Sequence, residues 1–238
     1  MLESALWGLL TAGSLLLGAG VAIVLRPRDR VVGLTLAFGA GALVAAVAYE
    51  LVVEAFERDT AFALVGFAAG ALAYYAGDWL VDRRGAEARK SMSRGSLAGA
   101  ATAIVLGTVL DGVPESFVLG ASLQADGAVP VAVVVGVFVS NLPESLSAST
   151  GLLASGWTRG RLLGMWSTVV AGSVAAAILG WLLLDVMAEA EGAFALAFAG
   201  GALIVMLADT LVPEALELGG REAGLFTALG FALGFSLS

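Results

Sequence analysis

The sequence predicts an all-α membrane protein of eight transmembrane helices, and three observations carry that expectation. Hydrophobic residues make up 59% of the 238 residues, with a mean hydropathy of +0.95. Charged residues make up only 13%, against about a quarter in soluble domains. The charges also fall mostly between long apolar runs. A hydrocarbon core about 30 Å thick takes roughly 20 helical residues to cross. Runs of that order cover about 5–25, 31–56, 60–81, 96–123, 128–155, 162–187, 193–216 and 223–238. The whole chain, 1–238, reads as one transmembrane domain.

The connections justify these spans in turn. Those after the first, third, fifth and seventh spans hold Arg26, Arg28 and Arg30, then Arg83, Arg84, Arg89, Lys90 and Arg94, then Arg159 and Arg161, then Arg221. These are eleven of the twelve basic residues, and only Arg58 falls on the other side. Cytoplasmic loops are enriched in Lys and Arg, so the four basic loops are expected inside the cell and both termini outside. Losing one span would scramble this asymmetry, so it also supports the count. Glu3, Glu57, Asp59, Asp126, Glu189 and Glu191 would then form an acidic outer surface. Met1 to Ser4 carry no Lys or Arg, so the first run is expected to be a retained helix rather than a signal peptide. The expected location is the cell membrane.

Gly accounts for 32 residues, and small residues let helix backbones approach in lipid, where no hydrophobic force drives them together. Gly66-xxx-Gly70 and Gly230-xxx-Gly234 are candidates for packing helices or subunits. There is no Cys and no His, which removes disulfides, thiolates and the commonest general base. No GxxxxGK[ST] motif occurs, and no catalytic residues are expected. A net charge of −8 argues against nucleic acid as a partner.

Two internal repeats stand out. Residues 38–57, FGAGALVAAVAYELVVEAFE, align without gaps on 198–217, FAGGALIVMLADTLVPEALE, and match at ten of 20 positions. These are the second and seventh spans, which cross in opposite directions. GTVLDGVPES at 107–116 lies over GVFVSNLPES at 136–145, in the antiparallel fourth and fifth spans. Inverted repeats of this kind are an architecture of secondary transporters.

The chemistry concentrates in that second pair. Asp111 and Glu115 in the fourth span are i,i+4 and share a helix face; Ser140 and Glu144 repeat the spacing in the fifth, beside Asn141. A charge at the bilayer centre costs about 2.5–3.5 kcal/mol even on lenient scales, so such residues normally line an ion or substrate path. Pro114 and Pro143 each free a carbonyl one turn earlier, those of Leu110 and Val139. No Lys or Arg lies in these spans to balance three carboxylates. The expected counter-charge is a bound cation or protons, and all-oxygen ligands suit divalent ions.

These residues resemble the ZIP family, the Zrt/Irt-like transporters of zinc and other divalent metals. The resemblance covers nearly the whole chain. In the fourth span Asp111, Gly112, Pro114, Glu115 and Ser116 lie where the family typically reads His-Asn-x-x-Glu-Gly or His-Asn-x-Pro-Glu-Gly. In the fifth, Ser140, Asn141, Pro143 and Glu144 match its second motif. Asp111 thus replaces a His, Gly112 an Asn, and Ala171-Gly172-Ser173 stands where the family's sixth helix carries Glu. The resemblance implies a metal path between the second, fourth, fifth and seventh spans, an inverted 3+2+3 arrangement and a homodimer. The metal-ligand candidates are Asp111, Glu115, Ser140, Asn141 and Glu144. The metal is cargo, and no resident cofactor is expected. A manganese- or iron-preferring transporter and a non-transporting sensor or scaffold are the alternatives.

The remaining polar residues have simpler readings. Glu50 and Glu54, with Tyr49 and Glu57, lie toward the outer end of the second span; Asp209 and Glu214, with Glu217, lie toward the inner end of the seventh. Solvated helix ends are the first reading and entrance or exit ligands the second. Tyr74, Tyr75, Trp79, Trp157 and Trp166 read as interfacial anchors, and Asp78, Asp82 and Asp185 as helix-end groups. Since the chain has no native Cys, topology is directly testable. A cysteine placed at Ser91 is expected to label only from the cytoplasmic side and one at Gly192 only from outside. Labelling of both from one face contradicts the eight-span reading.

Overall fold

A computed structural model describes residues 1–25, 27–83, 97–185 and 189–238. Arg26, Arg84, Arg89, Lys90, Ser91 and Arg94 lie outside the described residues. The described residues are helical almost throughout, with no strand among them. The order is α1 (Leu2–Val24), α2 (Asp29–Ala46), α3 (Val53–Arg58), α4 (Thr60–Arg83), α5 (Leu97–Asp126), α6 (Val131–Ala154), α7 (Arg159–Asp185), α8 (Glu189–Met206), α9 (Val212–Gly219) and α10 (Ala223–Leu237).

Two junctions are not breaks. α2 passes into α3 through a π turn at Val47–Val52, giving one continuous helix from Asp29 to Arg58, and α8 passes into α9 through a π turn at Leu207–Leu211. The two π turns lie 160 residues apart, the offset of the 38–57 and 198–217 alignment. Six stretches among the described residues are long and apolar enough to cross a membrane: Leu2–Val24, Asp29–Arg58, Thr60–Leu80, Val131–Ala154, Arg159–Asp185 and Glu191–Leu237. The last includes a bend, because Gly220 takes φ 67° and a 3₁₀ turn at Gly220–Glu222 separates α9 from α10. The architecture is compatible with a multi-pass α-helical membrane protein.

Helix ends follow local chemistry. α6 ends in a Schellman motif, with the Gly156 amide donating to the Leu153 carbonyl and the Trp157 amide to the Leu152 carbonyl, both at 3.1 Å. Gly156 supplies the required positive φ of 90°. Trp157 folds back against the cluster that holds Leu152, and the Arg161 guanidinium sits 3.9 Å above its ring. Within the helices many Ser and Thr hydroxyls donate to carbonyls three or four residues back, as Thr11, Thr35, Thr150, Ser167 and Thr227 do. This consumes polar groups that lipid cannot satisfy.

Packing follows a matched set of pairs. α4 packs on α8 and α10 on α2; α5 packs on α7 and α1 on α6. A Cβ at Gly41 would strike the Thr227 carbonyl and the Phe231 amide of α10, and one at Gly230 would strike the Phe38 carbonyl of α2. The same contacts recur between α8 and α4. There Gly201 meets the Phe67 carbonyl and the Ala71 amide, and Gly70 meets the Phe198 carbonyl. Every residue of the second set lies 160 positions from its counterpart in the first. Gly66-xxx-Gly70 and Gly230-xxx-Gly234 therefore pack helices within the chain. Leu43, Leu51, Leu119, Leu203, Met206 and Leu211 fill the core, while Leu6, Leu64, Leu72, Leu183 and Leu229 remain on the outer surface.

Two of the expected anchors are core residues instead. Tyr74 and Trp166 are buried, and the Trp166 indole N–H donates to the Ser149 hydroxyl at 2.8 Å. Both lie on helix faces turned toward neighbouring helices. Tyr75 and Trp79 are exposed, as an anchor should be.

The glycine contacts make a direct prediction. Gly41→Val and Gly201→Val should each destabilise the detergent-solubilised protein by about 1–3 kcal/mol, the cost of overpacking a tight contact. Gly13→Val, where nothing lies within 4 Å, should leave the melting temperature unchanged. Equal melting of all three variants would contradict the packing described.

Candidate functional site

α5 and α6 carry the internal prolines Pro114 and Pro143, and the acids beside them face inward. On α5, Asp111 and Glu115 stand one turn apart at 2% and 1% exposure, while Val109 and Val113 on the opposite face are exposed. On α6, Ser140, Asn141 and Glu144 are all buried, with Ser145, Ser147 and Ser149 continuing the polar face. All five expected ligand residues thus lie inside the bundle.

Their partners differ. Both carboxylate oxygens of Glu115 are buried and accept no hydrogen bond. Asp111 accepts a hydrogen bond from the Tyr74 hydroxyl of α4 at Oδ1. The Ser140 hydroxyl donates to the Val137 carbonyl at 3.1 Å, keeping its lone pairs as acceptors. The carbonyl freed by Pro143 is covered by a neighbour, since a Cβ on Gly39 of α2 would stand 2.9 Å from the Val139 oxygen. This closes one of the two carbonyls expected to face a cation. Among the described residues no three Asp or Glu side chains are gathered as a ready metal-holding group, so the three carboxylates share the interior without forming a preassembled cage.

The four possible entrance and exit residues separate. Glu50 and Glu54 line a cavity of about 320 Å³ with Tyr49, Ala128 and Pro130. Glu54 is also paired with Arg58 at 2.8 Å. Glu214, at the start of α9, accepts a hydrogen bond from the Ser147 hydroxyl of α6. Asp209 lies in the second π turn and is exposed on the surface of the chain. Near α9 and α10 a second cavity, about 780 Å³, is lined by Arg30 and residues 217–222, 224 and 225, and Arg30 pairs there with Glu222. Asp185 ends α7 and accepts from the Gln124 amide at 2.8 Å, as a helix-end group.

Two contributors were not singled out as site residues from the sequence. Tyr74 lies several residues inside its span rather than at its end, and that depth was the available signal. Ser147 lies three residues beyond Glu144 on the same face of α6, as Ser140 lies four before it, so helical periodicity was the available signal. Compared with known proteins, the chain matches no family model and no curated protein.

Glu115 is the strongest electrostatic feature. An ionised carboxylate without a partner is costly in the interior. Glu115→Gln keeps the shape and removes the charge. In chelator-treated protein at a pH where the carboxylate is ionised, this variant should be more stable than wild type, because it removes the buried charge while leaving a polar group of the same shape in its place. A melting temperature equal to or below that of wild type would show that Glu115 is already compensated.

Proposed function

We propose that this protein is a secondary transporter that carries zinc or a similar divalent metal ion across the cell membrane into the cytoplasm. The single observation that carries the reading is Glu115, a fully buried carboxylate with no hydrogen-bond partner, in a helix containing no Lys or Arg. A mobile cation meets that electrostatic demand and leaves again. Asp111 one turn away and the polar face of α6 supply further oxygen ligands. We read the chain as eight crossings with both termini outside, taking α2–α3 as one crossing, α8–α9 as one and α10 as the last. The matched π turns and the glycine contacts repeated at an offset of 160 support an inverted repeat. A homodimer is the expected assembly.

On this reading the Glu50–Glu54 cavity attracts cations at the outer side, and Glu214 receives them toward the inner side. A second reading is a membrane protein with the same fold that senses metal or scaffolds partners without transport. The lack of a preassembled group of three acids among the described residues favours it. Uptake separates the two. Cells expressing the protein should accumulate zinc or manganese above background. Glu115→Gln and Glu144→Gln should each abolish most of that uptake at normal expression, while Glu50→Gln should reduce it far less. Accumulation at background in wild type would support the non-transporting reading; wild-type uptake in both site variants would make the α5–α6 acids structural.

Metal choice is tested at Asp111. Imidazole suits zinc, whereas carboxylate suits manganese, magnesium and calcium. Asp111→His should therefore raise the zinc-to-manganese uptake ratio even if total uptake falls. An unchanged ratio would show that Asp111 does not touch the ion.

A further inference from the structure

Tyr74 and Tyr75 are neighbours on α4 with opposite fates. Tyr75 is 59% exposed, while Tyr74 is 3% exposed. A buried phenol needs a hydrogen-bond partner, and Tyr74 finds it in Asp111 Oδ1, 37 residues away on α5. The acceptor is thus a carboxylate of the candidate ion path, and the donor comes from a helix outside the α5–α6 pair.

The consequence concerns how Asp111 can hold an ion. A carboxylate that accepts a phenolic hydrogen at one oxygen is fixed in rotation. Gripping one ion with both oxygens would put the metal in competition with the phenol for the electron density and orientation of Oδ1, so the hydrogen bond weighs against two-oxygen contact. Calcium takes six to eight oxygen ligands and readily uses two-oxygen carboxylate contacts, whereas smaller divalent ions are satisfied by fewer ligands. From this geometry we infer that Tyr74 is a positioning residue that holds Asp111 to one-oxygen coordination and so disfavours calcium relative to zinc. The inference rests on the transport-site reading above.

The test is competitive binding of calcium and zinc to purified full-length protein in detergent. Tyr74→Phe keeps the ring and removes the hydroxyl. The calcium-to-zinc affinity ratio should rise on the order of tenfold, the factor equivalent to about 1.4 kcal/mol, within the range for a hydrogen bond to a charged group. In an Asp111→Asn background the same substitution should leave the ratio unchanged. A purely structural role would instead lower thermal stability and weaken both ions equally, which would overturn the inference. Should Tyr74→Phe fail to fold, Tyr49→Phe/Tyr75→Phe leaves Tyr74 as the single tyrosine of the original three. Saturating calcium should then perturb its near-ultraviolet absorption more than saturating zinc does, and equal or absent perturbation would overturn the inference. Wild-type protein that binds neither ion would remove the transport-site reading along with it. Wild-type protein that binds zinc, with an unchanged ratio in Tyr74→Phe, would remove only the role of Tyr74.

Discussion

A hydrocarbon surrounding leaves polar groups in membrane helices no partner but the protein itself, and the interior of this chain is organised by that constraint. Hydroxyls along the helices turn back onto their own carbonyls. The Trp166 indole and the Tyr74 phenol reach across to neighbouring helices. The Val139 carbonyl, released by Pro143, is pressed against the backbone at Gly39. Against that background the Ser122 hydroxyl and one oxygen of Glu144 are buried without a hydrogen bond, and among the described residues Glu115 goes furthest, with both oxygens buried and neither accepting one. A buried carboxylate with neither oxygen hydrogen-bonded calls for a physical explanation, and under the proposed function a passing cation supplies it.

The close helix contacts serve the same end. Glycine at Gly41, Gly70, Gly201 and Gly230 brings α2 against α10 and α8 against α4. Dispersion between close backbones replaces the hydrophobic force that lipid removes. Both π turns sit within the helices so paired, near the depth of the acids at Glu50 and Asp209. A π turn shifts the helix face on either side of it. One consequence is visible in α8–α9, where Asp209 emerges on the outer surface and Glu214, five residues on, meets Ser147 of α6.

Much of this was legible in the sequence because lipid makes composition informative. Long apolar runs can only become helices, and the breaks at Gly156 and Gly220 coincide with loop residues. The 38–57 and 198–217 alignment located the two π turns without revealing that they were π turns, since a repeat reports equivalence and not geometry. The inward burial of Asp111, Glu115 and Glu144 followed from their depth in apolar runs. Angular placement was not legible in the same way. Tyr74 and Trp166 read as interfacial anchors because aromatic residues often are, yet the rotation of α4 and α7 turns them into the core. Whether three carboxylates meet at one point depends on helix crossing geometry, and no spacing within one helix encodes that.

The central claim is that the buried acids of α5 and α6 serve a moving cation. The most direct measurement is metal flux into liposomes that contain only the purified protein and an internal metal-sensitive dye. External zinc or manganese should enter at a rate that scales with the amount of protein and saturates with metal concentration. Flux indistinguishable from protein-free liposomes for both metals, with protein shown to be folded and inserted, would contradict the account.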